Sequence, residues 1–227
     1  SDIPLILIIG LLQIGIYILL TNVGLAYLPA GRASLLAYTT PLWVMPMATI
    51  IFKEKSGLFK WTGFLLGLLG LIILMNPTQI NWLDKKVMLG TGALLLASLC
   101  WAISMLCVRH MPWTRSPLQL IPWQLLIGTI PIIIFAVIKE PMITVTWNLS
   151  LILSLVYTGI LVTGISYWVG VIINKELPTI VLSLGFLIVP VLSFGVSAIF
   201  LKESISLVTA SAMLMIIAGL GFVVAEK

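Results

Sequence analysis

The chain reads as long apolar runs separated by short polar breaks. Eight such runs can be marked, at 3–28, 31–52, 58–75, 87–108, 118–138, 149–173, 178–201 and 206–225. The breaks fall at Pro29-Ala30-Gly31, Asn76-Pro77, Pro112 to Pro117, Glu140-Pro141 and Leu177-Pro178, where proline and charge end helices. A helix needs ~20 apolar residues to cross ~30 Å of hydrocarbon, and each run is about that long. No Asp, Glu, Lys or Arg stands in the middle of any run. The pattern predicts an all-α fold, a polytopic transmembrane helical bundle of eight helices. The connections are too short to hold a soluble domain.

The same pattern occurs twice. Ser34 to Glu54, SLLAYTTPLWVMPMATIIFKE, lies over Ser183 to Glu203, SLGFLIVPVLSFGVSAIFLKE, at an offset of 149 (190 − 41). Pro41 then pairs with Pro190, Lys53 with Lys202 and Glu54 with Glu203; Gly70-Leu71 pairs with Gly219-Leu220 at the same offset. Val23-Gly24 lies over Val169-Gly170 at a shorter one, 146. A repeat of this kind is an architectural statement. It divides the chain into 1–76, the last three helices of a first repeat, and 86–227, a second repeat of five. The second repeat begins near Lys86, and 149 − 86 = 63, so the pattern predicts two further helices and roughly 60 residues ahead of Ser1, ten helices in all. Five is odd, so equivalent spans cross the bilayer in opposite directions. Inverted repeats with a site between them are a plan of secondary transporters.

Composition changes little in this picture. Hydrophobic residues make up 61% of the chain and charged residues 8%, against ~25% charge in soluble domains. The net charge of +5 would admit nucleic acid as a partner, but the Lys and Arg residues sit singly or in pairs between apolar runs and form no patch. Lipid bilayer is the expected partner instead. Seven basic residues (Lys53, Lys55, Lys60, Arg109, Arg115, Lys175 and Lys227) fall on the side that holds both termini, and five (Arg32, Lys85, Lys86, Lys139 and Lys202) on the other. The positive-inside rule favours cytoplasmic termini. Cys100 and Cys107 lie ~10.5 Å apart along one helix, beyond disulfide reach.

Candidate chemistry rests on uncharged polar and aromatic residues. Gln13, Tyr17 and Thr21 form one stripe on the first run, and Ser34 and Tyr38 one on the second. Trp101, Tyr167 and Trp168 fall inside later runs and could wall a cavity. The bonds made by Ser, Thr and Gln between neighbouring helices explain many such residues equally well. Pro41 and Pro190 each remove a helical hydrogen bond and free the carbonyls of Ala37 and Phe186, which marks a kink or hinge in both halves. Glu54 and Glu203 read as caps and loop stabilisers before the next helix. His110 reads as a solvated loop residue. Gly63, Gly67 and Gly70 make a small-residue packing face. No cluster with metal spacing, nucleophile elbow or phosphate loop is present, so neither metal nor cofactor is expected.

GRASLLAYTTPLWVMPMATIIFKEK followed by SGLFKWTGFLLGLLGLIILMNP resembles the EamA repeat of the drug/metabolite transporter superfamily, and LKESISLVTASAMLMIIAGLGFVV is similar to it again. SLCWAISMLCVRH looks like the opening helix of a second repeat. The resemblance implies a ten-helix inverted-repeat exporter of amino acids, other metabolites or drugs, located in the bacterial inner membrane. Family members usually have Gly-Glu where this chain has Lys53-Glu54 and Lys202-Glu203. The expected activity is carriage of a small-molecule substrate by alternating access, with Gln13, Tyr17, Ser34, Tyr38, Trp101, Tyr167 and Trp168 around the cavity. A proton or counter-substrate as coupling partner is left open, as is the oligomeric state. The contrasting reading is a membrane-embedded enzyme or a non-transporting membrane subunit.

Overall fold

The computed structural model describes residues 2–79, 81–139, 146–200 and 206–226. The eight apolar runs fold as α1 (Ile3–Tyr27), α2 (in two halves, Ala30–Ala37 and Thr40–Ile50), α3 (Leu58–Met75), α4 (Lys85–His110), α5 (Pro117–Lys139), α6 (Leu149–Glu176), α7 (in two halves, Thr179–Gly185 and Ile188–Phe200) and α8 (Leu207–Ala225). Among the described residues there is no strand. Local chemistry sets the ends. The side chains of Asp84, Asn148 and Ser206 accept hydrogen bonds from the amides of Lys86, Leu151 and Thr209, capping α4, α6 and α8. Asn76 takes a left-handed conformation (φ 46°) that closes α3. Apolar side chains such as Leu58, Val137 and Leu214 face outward, as a bilayer rather than water requires.

The two halves keep one offset throughout. α1 ends at Tyr27 and α6 at Glu176, each followed by Leu-Pro, a separation of 149 (176 − 27). Both helices widen into a π-helical stretch, at Ile9–Ile16 and Tyr157–Ile165. These stretches align Gly10 with Gly159 and Gly15 with Gly164, again at 149. The pairing of Val23-Gly24 with Val169-Gly170 at 146 is therefore a chance match of two common residues.

Both proline spans are interrupted rather than merely kinked. α2 breaks at Tyr38 and Thr39, α7 at Phe186 and Leu187. A proline ring clashes with the turn before it, so each break lies two to four residues ahead of its proline. The freed carbonyls do not stay empty: Ala37 O accepts from Thr40 Oγ1 at 3.2 Å, and Phe186 O from the Val189 amide at 3.1 Å. Short-range bonds of this kind let the backbone turn inside the bundle without an orphaned group.

Glycines set the closest approaches. α3 and α8, equivalent spans of the two halves, pack backbone to backbone. A Cβ at Gly63 would lie 2.4 Å from Gly219 O, and one at Gly70 2.7 Å from Ala212 O. The expected Gly63/Gly67/Gly70 face is this seam. α1 meets α5 and α4 in the same way: a Cβ at Gly10 would lie 2.8 Å from Gln124 O and one at Gly24 2.4 Å from Leu94 Cγ. The core between these contacts includes Leu35, Val44, Met45, Phe64, Met105, Ile180 and Ile216.

Candidate functional site

α1, α4, α5, α6 and α7 line a cavity of about 350 Å³ that is open on one side. Its wall includes Gln13 and Tyr17 from α1, Trp101 and Met105 from α4, Tyr167 and Asn174 from α6, and Phe186 from the break in α7. A second volume of about 270 Å³ lies against it, bounded by Tyr38 and Thr40 at the break in α2 and by Val189. Tyr17, Trp101 and Phe186 border both volumes. The Tyr17 and Trp101 rings pack tilted by 51° with centroids 4.8 Å apart. Aromatic residues thus form a partition between two chambers, each reached by a broken helix.

The polar groups around the larger chamber are held in place. Ser104 Oγ donates to Gln13 Oε1 at 2.8 Å. Tyr167 OH donates to Gln124 Oε1 at 3.3 Å. Asn174 Nδ2 donates to Met105 O at 3.2 Å. Two atoms of this set are buried without a partner, Gln124 Nε2 and Asn174 Oδ1. Trp43 Nε1 and Thr39 Oγ1 both meet Ser98 Oγ at 2.9 Å, fastening the α2 break to α4.

Five of the residues singled out in the sequence, Gln13, Tyr17, Tyr38, Trp101 and Tyr167, border these volumes. Ser34 does not: it is exposed, and its hydroxyl donates to Gly31 O in the preceding turn. Trp168 is half-buried on the neighbouring face of α6 and lines neither volume. Pro41 and Pro190 are buried behind the breaks they cause. Asn174 and Phe186, which line the larger volume, are not in that set. Asn174 was missed because the apolar run stops at 173 while the helix continues to Glu176. The signal for Phe186 was available, since it lies 149 positions after Ala37, beside the equivalent break.

At one end of the bundle a polar cluster joins the halves. Glu54 Oε1 lies 2.9 Å from His110 Nε2 and accepts from the Thr179 amide at 3.3 Å, while Oε2 accepts from the Ile180 amide at 3.4 Å. Glu54 thus caps α7 across the repeat boundary, not the α3 that follows it. A carboxylate at a helix N-terminus is favoured by the orphan amides and the helix dipole. His110 is exposed, as expected, but it is the last residue of α4 rather than a loop residue, and its ring stacks on Phe52, centroids 4.3 Å apart. The end of α2 meets the start of α7, so these equivalent helices run in opposite directions. Arg109 donates to Lys175 O, and Lys175 Nζ sits 4.6 Å above the Trp113 ring. Lys202 and Glu203, the equivalents of Lys53 and Glu54, lie outside the described residues. Asp2 belongs to the same end. The Thr114 hydroxyl and amide both donate to its carboxylate and hold it below the usual range.

The model of the EamA-like transporter family matches residues 1–76 and 88–225. The chain belongs to this family. Among EamA relatives, an uncharacterized transporter, YoaV of Bacillus subtilis, is 26% identical over 224 residues, spanning 97% of this chain and 74% of the relative. A probable amino-acid metabolite efflux pump of Salmonella typhimurium is 24% identical over 203 residues, spanning 85% and 67%. A solved crystal structure shares the fold with a TM-score of 0.77 and 21% identity, covering 93% of this chain and 74% of that one. EamA membership makes this a multi-pass membrane transporter and not an enzyme.

The family's Gly-Glu pattern also gains a physical meaning here. Lys53 occupies a left-handed backbone position, with φ 54°, which glycine adopts without steric cost. That conformation turns the chain after α2 so that Glu54 reaches α7.

Proposed function

We propose that this EamA transporter exports small metabolites, such as amino acids or drug-like compounds, by alternating access between its two inverted repeats. The observation that carries the reading is the paired chamber with Tyr17, Trp101 and Phe186 between its halves. A volume of about 350 Å³ suits a solute of metabolite size. The helix breaks before Pro41 and Pro190 supply hinges at the partition, the α7 break through Phe186 and the α2 break through Tyr38 beside it. Swinging the aromatic partition would pass a solute from one chamber to the other. The Glu54–His110 cluster closes the bundle at the end where Asn174 sits. The name of the Salmonella relative supports amino-acid export. The seven-to-five basic bias supports cytoplasmic termini, and the bacterial relatives support an inner-membrane location.

The test is efflux from liposomes holding the purified protein, preloaded with labelled amino acids and metabolites, with and without a pH gradient. Release of a subset is expected, and its response to the gradient separates proton coupling from exchange. Gln13→Ala with Tyr17→Phe is expected to impair efflux while folded yield holds. Normal kinetics in that double variant would remove the stripe from the solute path.

A further inference from the structure

Three helices meet at the Glu54 carboxylate, which stands just past the end of α2. It accepts from the Thr179 and Ile180 amides in the first turn of α7 at 3.3 and 3.4 Å, and it lies 2.9 Å from Nε2 of His110, the last residue of α4. Ordinary N–H···O bonds run about 2.7–3.2 Å. The two amide bonds are therefore stretched, and the imidazole is the tightest of the three ties.

The strength of that tie depends on one proton. A neutral imidazole can donate a single N–H to the carboxylate, whereas an imidazolium makes a charge-assisted bond, roughly twice as strong. The Phe52 ring, stacked on His110 at 4.3 Å and 19°, also attracts a cation over its face. The His110 side chain is 25% exposed and the Glu54 side chain 10%, so water can deliver the proton while the pair is screened less than two exposed ions. The neighbouring charges at this end are engaged elsewhere. Arg109 donates to Lys175 O, the Lys175 ammonium lies over Trp113, Lys60 pairs with Glu226, and Thr114 donates to Asp2. Lys53, Lys55, Arg115 and Glu176 make no ion pair with Glu54 or His110 among the described residues. His110 is the only histidine in the chain, and histidine is the side chain that ordinarily titrates between about pH 5 and 8. An imidazolium gains more from the closed arrangement than a neutral ring does, so protons favour closure, and that share of it is lost as the pH rises through the histidine range.

We propose that the His110–Glu54 contact is a pH-sensitive latch. Protonated, it holds the ends of α2, α4 and α7 together and slows the carrier; neutral, it frees α7 to swing about its break at Phe186 and Leu187. The inference rests on the carrier reading and adds its regulation.

The test has two readouts. Maleimide labelling of the protein in micelles needs no transport: half-buried Cys107 lies one turn before His110 on α4, and buried Cys100 two turns further back. Taking the ratio of the two cancels the pH dependence that thiols share. From about pH 5.5 to about pH 8 the Cys107 to Cys100 ratio should rise about threefold in the wild type. It should stay at the alkaline level throughout in His110→Gln, which keeps a neutral donor but cannot take the charge. Efflux of the labelled amino-acid and metabolite mixture from liposomes, at equal pH inside and out, should rise by a similar factor for solutes that do not titrate in this range, and should be flat in His110→Gln. A flat wild-type ratio, or a His110→Gln profile like the wild type's, overturns the latch; the wild-type ratio decides if the variant folds poorly. A rise in labelling without a rise in efflux, in a carrier that works, overturns the regulation. A rise in labelling with no efflux of any solute supports the latch and removes the carrier reading.

Discussion

The seam between α3 and α8 yields a prediction whose size can be worked from the geometry. An alanine Cβ at Gly63 would lie 2.4 Å from the Gly219 carbonyl and 2.6 Å from Val223 Cγ2. An ordinary contact begins near 3.4 Å, so the helices must part by about 1 Å (3.4 − 2.4). The obstacle is backbone, which cannot swing aside. A gap of this size forfeits a quarter to a half of the dispersion energy of the atoms it separates, and overpacking of this kind costs about 1–3 kcal/mol. Alanine's better helix propensity returns about 1 kcal/mol. That gain can be cancelled by a control, because a Cβ at Gly221 on the same α8 meets nothing within 4 Å. The difference between Gly63→Ala and Gly221→Ala should therefore equal the steric cost, about 1–3 kcal/mol. Gly67→Ala should fall between them, since its Cβ would meet only the Leu187 Cδ1 methyl, at 2.7 Å. Unfolding in mixed detergent–SDS micelles, followed by circular dichroism, measures all three. Equal midpoints for Gly63→Ala and Gly221→Ala would refute the claim that backbone contact sets this seam.

Three further outcomes are expected. Lys53→Gly should stabilise the protein by about 1 kcal/mol, by relieving a positive φ; a destabilised variant in the same micelle assay would show that the Lys53 side chain matters more than its backbone. Glu54→Ala removes the cap on α7 and the His110 contact, worth about 1–2 kcal/mol. It should raise maleimide labelling of half-buried Cys107 about tenfold relative to buried Cys100, and an unchanged ratio would mean that Glu54 does not close this end. Glu226 supplies a pH test. Burial alone would raise its carboxyl, but the Gly57 and Lys60 amides at 2.7 and 2.9 Å and the Lys60 ammonium at 3.4 Å outweigh it and hold the carboxyl below its ordinary 4.5. A depressed folded-state value means the stabilisation is present above pH 4.5 and lost as the pH falls through that value. The stability gap between wild type and Glu226→Gln should accordingly shrink below pH 4.5; a gap that persists in acid would assign Glu226 a role independent of its charge.

The sequence by itself determined the spans, the repeat and the class of fold. Hydrocarbon tolerates only helices with satisfied backbones, so apolar run length and proline position translate directly into α1–α8. The 149-residue offset carries over into the helix ends, the π-helical stretches and the breaks in α2 and α7, because equivalent sequences meet equivalent packing. Periodicity could also place Gln13 and Tyr17 on one face of α1. Only the tertiary structure decided which neighbours that face meets. Nothing local says that Ser34 turns back on its own helix while Asn174, beyond the apolar run, is drawn into the chamber wall by Met105 O. Nor could it say that Glu54 caps α7, 125 residues (179 − 54) further along, rather than the adjacent α3. Helix formation follows from hydrogen bonds a few residues apart and from contact with lipid, both written in local sequence. The chambers and the closed end depend on how separate helices dock, and docking is fixed by side-chain shape at contacts distant in the chain.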